Sequence, residues 1–79
     1  MQVEALADEQ MLLSLVRDTD AERRAAGKFP YFTVSIEARK VLGWSQERID
    51  QAAEMLMQSG EIRIGRTRND YYYELSNNN

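Results

Sequence analysis

The chain contains no cysteine and no histidine, a single proline and four glycines. The first two absences exclude disulfides, thiol nucleophiles and the usual zinc ligand sets. They also remove the commonest catalytic base, and no glycine-rich phosphate loop stands in for it, so no enzyme, metal or cofactor is expected. Carboxylates adjoin only as helix-face neighbours: Asp8 with Glu9, Asp18 with Asp20, Glu47 with Asp50. No apolar run approaches the roughly 20 residues of a membrane span. The acidic start MQVEALADEQ lacks the basic stretch of a signal peptide, and a cytoplasmic location away from membranes is expected. What is present is ordinary: 79 residues, 43% hydrophobic and 29% charged, enough for one small domain with one core. Without staples, such a domain depends on that core or on a partner.

The net charge of −3 is unevenly placed. Residues 1–22 hold six acids and one base, and residues 23–48 hold six bases and two acids. Residues 49–62 are again acidic, through Asp50, Glu54 and Glu61, and residues 63–68 are basic, through Arg63, Arg66 and Arg68. An acidic total argues against nucleic-acid binding, whereas two concentrated basic blocks argue for it if folding joins them.

Residues 45–60, SQERIDQAAEMLMQSG, are the organising stretch. Ser45 is an N-cap residue, Gly60 stops a helix, and Ile49, Ala52, Ala53 and Leu56 recur at amphipathic-helix spacing. Before it, Ser35 is expected to cap a short helix over 36–42, stopped by Gly43, with Ile36, Val41 and Leu42 as core contacts and Trp44 at the corner. Residues 1–7 read as a loose lead-in. A first helix over 8–26 has Asp8 as N-cap, the stripe Leu12, Leu13, Leu15 and Val16, and Gly27 after its end; 18–20 is its weak spot. Residues 31–34 predict a short strand, since Pro30 rules out helix. Residues 61–65 alternate as a half-buried strand, 66–70 form a polar turn, and 71–75 return with Tyr71, Tyr73 and Leu75 on one face. Tyr72 is expected on the other face, exposed or under a partner. Met55 and Met57 are expected as core and rim filler, and 76–79 as a disordered tail.

The run S-I-E-A-R-K-V-L-G-W, then S-x-x-R-I-D-x-A-A-E-M-L-M-x-S-G-E-I and a hairpin, resembles the winged helix-turn-helix superfamily of bacterial, phage and plasmid DNA-binding domains. The element L-x-x-S-G-E-I carries the likeness best, and the match extends from Leu12 to Leu75. The resemblance implies an α+β fold of three helices, a short strand and a C-terminal β-hairpin wing spanning 8–75. It also implies that the third helix enters the major groove while the wing touches phosphate or the minor groove.

Two functions follow. The first is a small DNA-binding regulator of transcription or replication, its partner double-stranded DNA. Gln46, Arg48 and Gln51 would read base edges. Arg63, Arg66, Arg68, Lys28, Arg39 and Lys40 would hold phosphates, and Ser45 with the first amides of the helix would bind another. A homodimer would suit a two-fold site, with Leu6, Met11 and Leu13 as contact candidates. The alternative is a protein-interaction module of the same fold, an adaptor, inhibitor or complex subunit, using Glu47, Asp50, Glu54 and Tyr72. The distribution of charge discriminates: DNA binding needs both basic blocks on the side of the third helix and the wing.

Overall fold

The computed structural model describes residues 7–76. Residues 1–6, with Leu6 of the expected dimer contact and most of the expected lead-in, and residues 77–79 of the expected tail lie outside that range. The domain is α+β, with three helices and a three-stranded antiparallel sheet. The order is α1 (Asp8–Ala26), β1 (Thr33–Val34), α2 (Ser35–Leu42), α3 (Gln46–Gln58), β2 (Ile62–Arg66) and β3 (Tyr71–Leu75). The sheet order is β1-β3-β2, with Thr33 opposite Tyr73 and Ile64 opposite Tyr73 on its other side. Two helices and a strand therefore separate β1 in sequence from β3, the strand it lies beside.

The helices start and stop largely where the residue types dictate. Gly27 and Gly43 take the left-handed conformation at φ 67° and 70°, which only glycine adopts at low cost, and their amides close the last turns of α1 and α2. Ser45 accepts from the Arg48 amide at 3.2 Å, as an N-cap should. The α3 stripe Ile49, Ala52, Ala53 and Leu56 is buried, against Leu12, Leu13 and Val16 of α1, Trp44, and Ile62 and Tyr73 of the sheet. At roughly 25 cal/mol per Å² of apolar area, this cluster is the main stabilising element of the domain.

Several expectations are corrected. Asp8 does not cap α1; Ala7 precedes the helix without a side-chain cap, and the Asp8 carboxylate pairs across the fold instead. The expected weak spot at 18–20 is continuous helix, tied by the Asp20–Arg24 ion pair one turn apart at 2.8 Å. The strand expected over 31–34 shrinks to Thr33–Val34, because Tyr31 and Phe32 turn into aromatic contacts with Arg24 and Tyr72. Ser35 is the first residue of α2, not its cap. It is fully buried and its hydroxyl donates to Gln46 Oε1 at 2.9 Å. The cap comes from the hairpin turn, where Asp70 Oδ2 accepts the Ile36 amide at 2.9 Å. Ile36 and Val41 are not core residues but 49% and 59% exposed, and Ala38 takes the buried place. Met55 and Met57 are likewise exposed rather than packed. Ser76, expected in the disordered tail, is instead held through its amide to the Glu61 carbonyl at 3.1 Å.

Candidate functional site

Helix α3 has three outward-facing flanks, set by the helical period. Arg48 and Met55 turn toward α1, Glu47, Gln51 and Gln58 point away from the body, and Asp50, Glu54 and Met57 turn toward the hairpin. Arg48 is the sole cation of α3. It is anchored to Asp8 by a two-pronged pair, Nε to Oδ2 at 2.8 Å and Nη2 to Oδ1 at 2.9 Å. Its guanidinium also lies 4.2 Å from the centre of the Trp44 ring. The Arg48 hydrogen bonds hold the Asp8 carboxyl below its usual range. Planar bidentate pairing and stacking together fix this side chain against α1.

Gln46 is similarly engaged. It accepts from Ser35 and donates through Nε2 to Asp50 Oδ1 at 2.7 Å. Of the residues expected to read bases, only Gln51 is exposed without a side-chain hydrogen bond among the described residues. Ser45 is exposed but acts as the cap. Glu47, Asp50 and Glu54 are all exposed, and none enters an ion pair among the described residues.

The three hairpin arginines do not share a face. Arg63 sits on the outer face of the sheet, 3.4 Å from the Glu74 carboxylate. Arg66 pairs with Tyr71 across the ladder and lies 5.5 Å over its ring, on the side of α3. Arg68 is exposed in the turn, a turn closed by Thr67 and Asp70, whose side chain and backbone exchange hydrogen bonds. Lys28 follows Gly27 at the far end of α1, and Lys40 is exposed on α2. Arg39 is half-buried, its Nε without a hydrogen-bond partner among the described residues. The basic residues are therefore distributed over the far end of α1, α2, the turn and both faces of the sheet, with Arg66 alone of the hairpin arginines placed on the α3 side.

Tyr72 is not the free aromatic. Its ring stacks on Phe32 with centres 4.2 Å apart and covers Gly65, where any Cβ would collide with it. Only glycine leaves room for that ring. The exposed tyrosine is Tyr71, at 45%. Leu13 is buried and Met11 packs against the core, so neither offers the expected dimer contact.

Between α3 and the hairpin runs a groove of about 270 Å³. Asp50 and Glu54 line one side, and Met57, Ile64 and Tyr71 form an apolar surface above Tyr73. Tyr73 is 1% exposed, and burial pushes its hydroxyl above the usual tyrosine range. Ser35 and Gln46, the polar neighbours that offset part of this effect, are bonded to each other. The hydroxyl is thus left with no partner at hydrogen-bonding geometry among the described residues. A larger hollow of about 650 Å³ lies between α1 and the end of α3, but the Arg17–Glu61 pair at 3.9 Å lies along it and its charges are mixed. Among the described residues no three potential metal ligands cluster, and no helix is long and apolar enough to cross a membrane.

The sequence reading overlooked Met57, Ile64 and Tyr71 as surface residues. The signal was present for one of them: residues 50, 54 and 57 fall at i, i+4 and i+7, a second stripe beside the buried one. Comparison with protein-family models, curated proteins and solved structures finds no match.

Proposed function

We propose that the chain is a winged-helix domain that works as a protein-interaction module, with the outward and hairpin-side flanks of α3 as its contact surface. The element order and the β1-β3-β2 sheet support the winged-helix assignment, since a strand from between the first two helices joins the terminal hairpin. The observation that carries the interaction reading is the state of Arg48. With the sole cation of α3 bound to Asp8, the charge this helix offers a partner is Glu47, Asp50 and Glu54. Set into a major groove, these carboxylates would meet phosphates. Like charges about 4 Å apart repel by about 1 kcal/mol in bulk water and about 4 kcal/mol near a protein surface. A basic protein surface meets them favourably.

A second reading keeps DNA as the partner and moves the contact to the hairpin turn. It is favoured by Arg66 and Arg68, both exposed and without a carboxylate partner among the described residues. Two phosphate contacts give a log–log salt slope of only about −1.8, so such binding is weak unless copies combine.

A photocrosslinking residue placed at Gln51 or at Arg68, in the source cell, separates the two. Protein adducts from position 51 without nucleic-acid adducts from position 68 are expected. Anisotropy of mixed-sequence duplex should accordingly stay flat at about 50 mM salt, where non-specific binding is strong. Nucleic-acid adducts from position 68, with duplex binding that weakens on salt addition and in Arg66→Ala/Arg68→Ala, would reverse the assignment.

A further inference from the structure

We infer that the groove between α3 and the hairpin receives an extended lysine- or arginine-bearing segment of a partner protein, laid alongside β2. The inference rests on the interaction reading above and adds the partner's chemistry and its place.

The groove divides into two chemically different parts. Its surface is apolar, with Met57 44% and Tyr71 45% exposed beside half-buried Ile64. Its wall carries Asp50 and Glu54, one helical turn apart and outside any ion pair among the described residues. A side chain with a long aliphatic stem and a cationic end satisfies both parts, the stem on methionine and isoleucine and the head at the carboxylates. Arg66 already lies over the Tyr71 ring, so this residue adds apolar surface to the groove rather than a second cation site. The volume of about 270 Å³ is below the roughly 300–1,000 Å³ of sites for drug-sized molecules, and suits one or two side chains.

The backbone of the partner follows from the sheet. Strand β2 is an edge, bonded to β3 on one side only. Among the described residues no strand pairs its other side, and Ile64 of this strand lines the groove, so a strand added there would reach it. Alternate side chains of that strand then fall on the α3 side. Residues 1–6, with one acid and no basic side chain, and residues 77–79, all asparagine, do not match this chemistry.

The test is amide shift mapping on the full chain, titrated with an acetylated pentapeptide alternating threonine with lysine and arginine, and with its glutamate counterpart. The basic peptide should give saturable shifts at Glu54, Met57, Ile64 and Tyr71 and along β2, leaving Asp18 and Glu22 unmoved. Asp50→Asn/Glu54→Gln should weaken it about tenfold, the combined effect of two exposed ion pairs. Glu22→Gln should change nothing, and thermal melts confirm that both variants fold. Equal shifts from the acidic peptide, or shifts spread over Asp18 and Glu22, would overturn the inference. Shifts confined to Glu47 and Gln51 would remove the groove while leaving the interaction reading intact. No response to either peptide, with duplex DNA shifting Arg66 and Arg68, would remove both. Sedimentation showing a dimer whose formation itself shifts the groove amides would replace the partner by a second copy and overturn the inference.

Discussion

Helices α2 and α3 lie side by side and bury their faces differently. In α3 the buried residues are those that the helical period selects, Ile49 and Leu56 with Ala52 and Ala53 between them. In α2 the buried residues are Ser35 and Ala38, while Ile36 and Val41 face outward. The period holds in both, since 35, 38 and 42 share one side just as 49, 52, 53 and 56 do. The difference is the size of the buried side chains: α2 has only a hydroxyl and a methyl group at its buried positions, where α3 adds Ile49 and Leu56. Small residues let α2 sit close to α3, near enough for the Ser35 hydroxyl to reach Gln46. An apolar residue on a short helix is thus no guide to its buried side when the neighbour leaves space only for a methyl group or a hydroxyl.

Three substitutions in these two helices, one in the hairpin turn and one pH experiment sharpen that contrast. Ile49→Ala removes the centre of the α3 stripe and should cost about 2–5 kcal/mol in urea unfolding, by lost burial plus the cavity left behind. Ala38→Leu adds apolar volume to α2, yet should destabilise by about 1–3 kcal/mol, because the space is already filled. An unchanged or raised urea midpoint would show that α2 has room against α3. Asp70→Ala tests the cap that the hairpin turn lends to α2. A loss of about 1 kcal/mol is expected, with faster hydrogen exchange at the Ile36 amide than at the start of α3. Val41→Ser, an apolar-to-polar change on a helix, should fall within about 0.5 kcal/mol, since the side chain is already in solvent.

The smallest effect concerns Asp8, which ties α3 rather than α2 to α1. Its carboxyl is held below the ordinary value of 3.8, mainly by the Arg48 hydrogen bonds. The folded state thus binds the proton less readily than the unfolded one. The pair's contribution is present above 3.8 and is lost as pH falls through the lowered value. Thermal melts of the protein and Asp8→Asn should therefore differ near neutrality and converge in acid; a constant gap would show that the pair does not titrate with the fold.

Much of this fold was legible in the residues. Local chemistry announced α1 and α3 closely, the stops at Gly27 and Gly43, the hairpin and the Ser45 cap. Each depends on the chain's own neighbours within one or two turns. Several differences from the local reading share one cause, a distant group placed beside the residue in question. Asp70 supplies the cap expected of Ser35, from 35 positions further along. Arg48 looked available for a base edge until Asp8, 40 positions earlier, was found beside it. Tyr72 looked free until Phe32 and Gly65 were placed on either side of it.

The sequence by itself determined the order of the helices and strands, which stripe of α3 is buried, and that no cysteine or histidine is there to form a disulfide or a zinc site of the usual kind. These follow from backbone preference, hydrophobic period and composition. Only the tertiary structure decided which charges remain available. It bound Arg48 to Asp8 and Arg63 to Glu74, and left Asp50 and Glu54 beside an apolar groove. The physical reason is that side-chain pairing acts over a few ångströms in space. Charges far apart along the chain become partners only once packing has placed them.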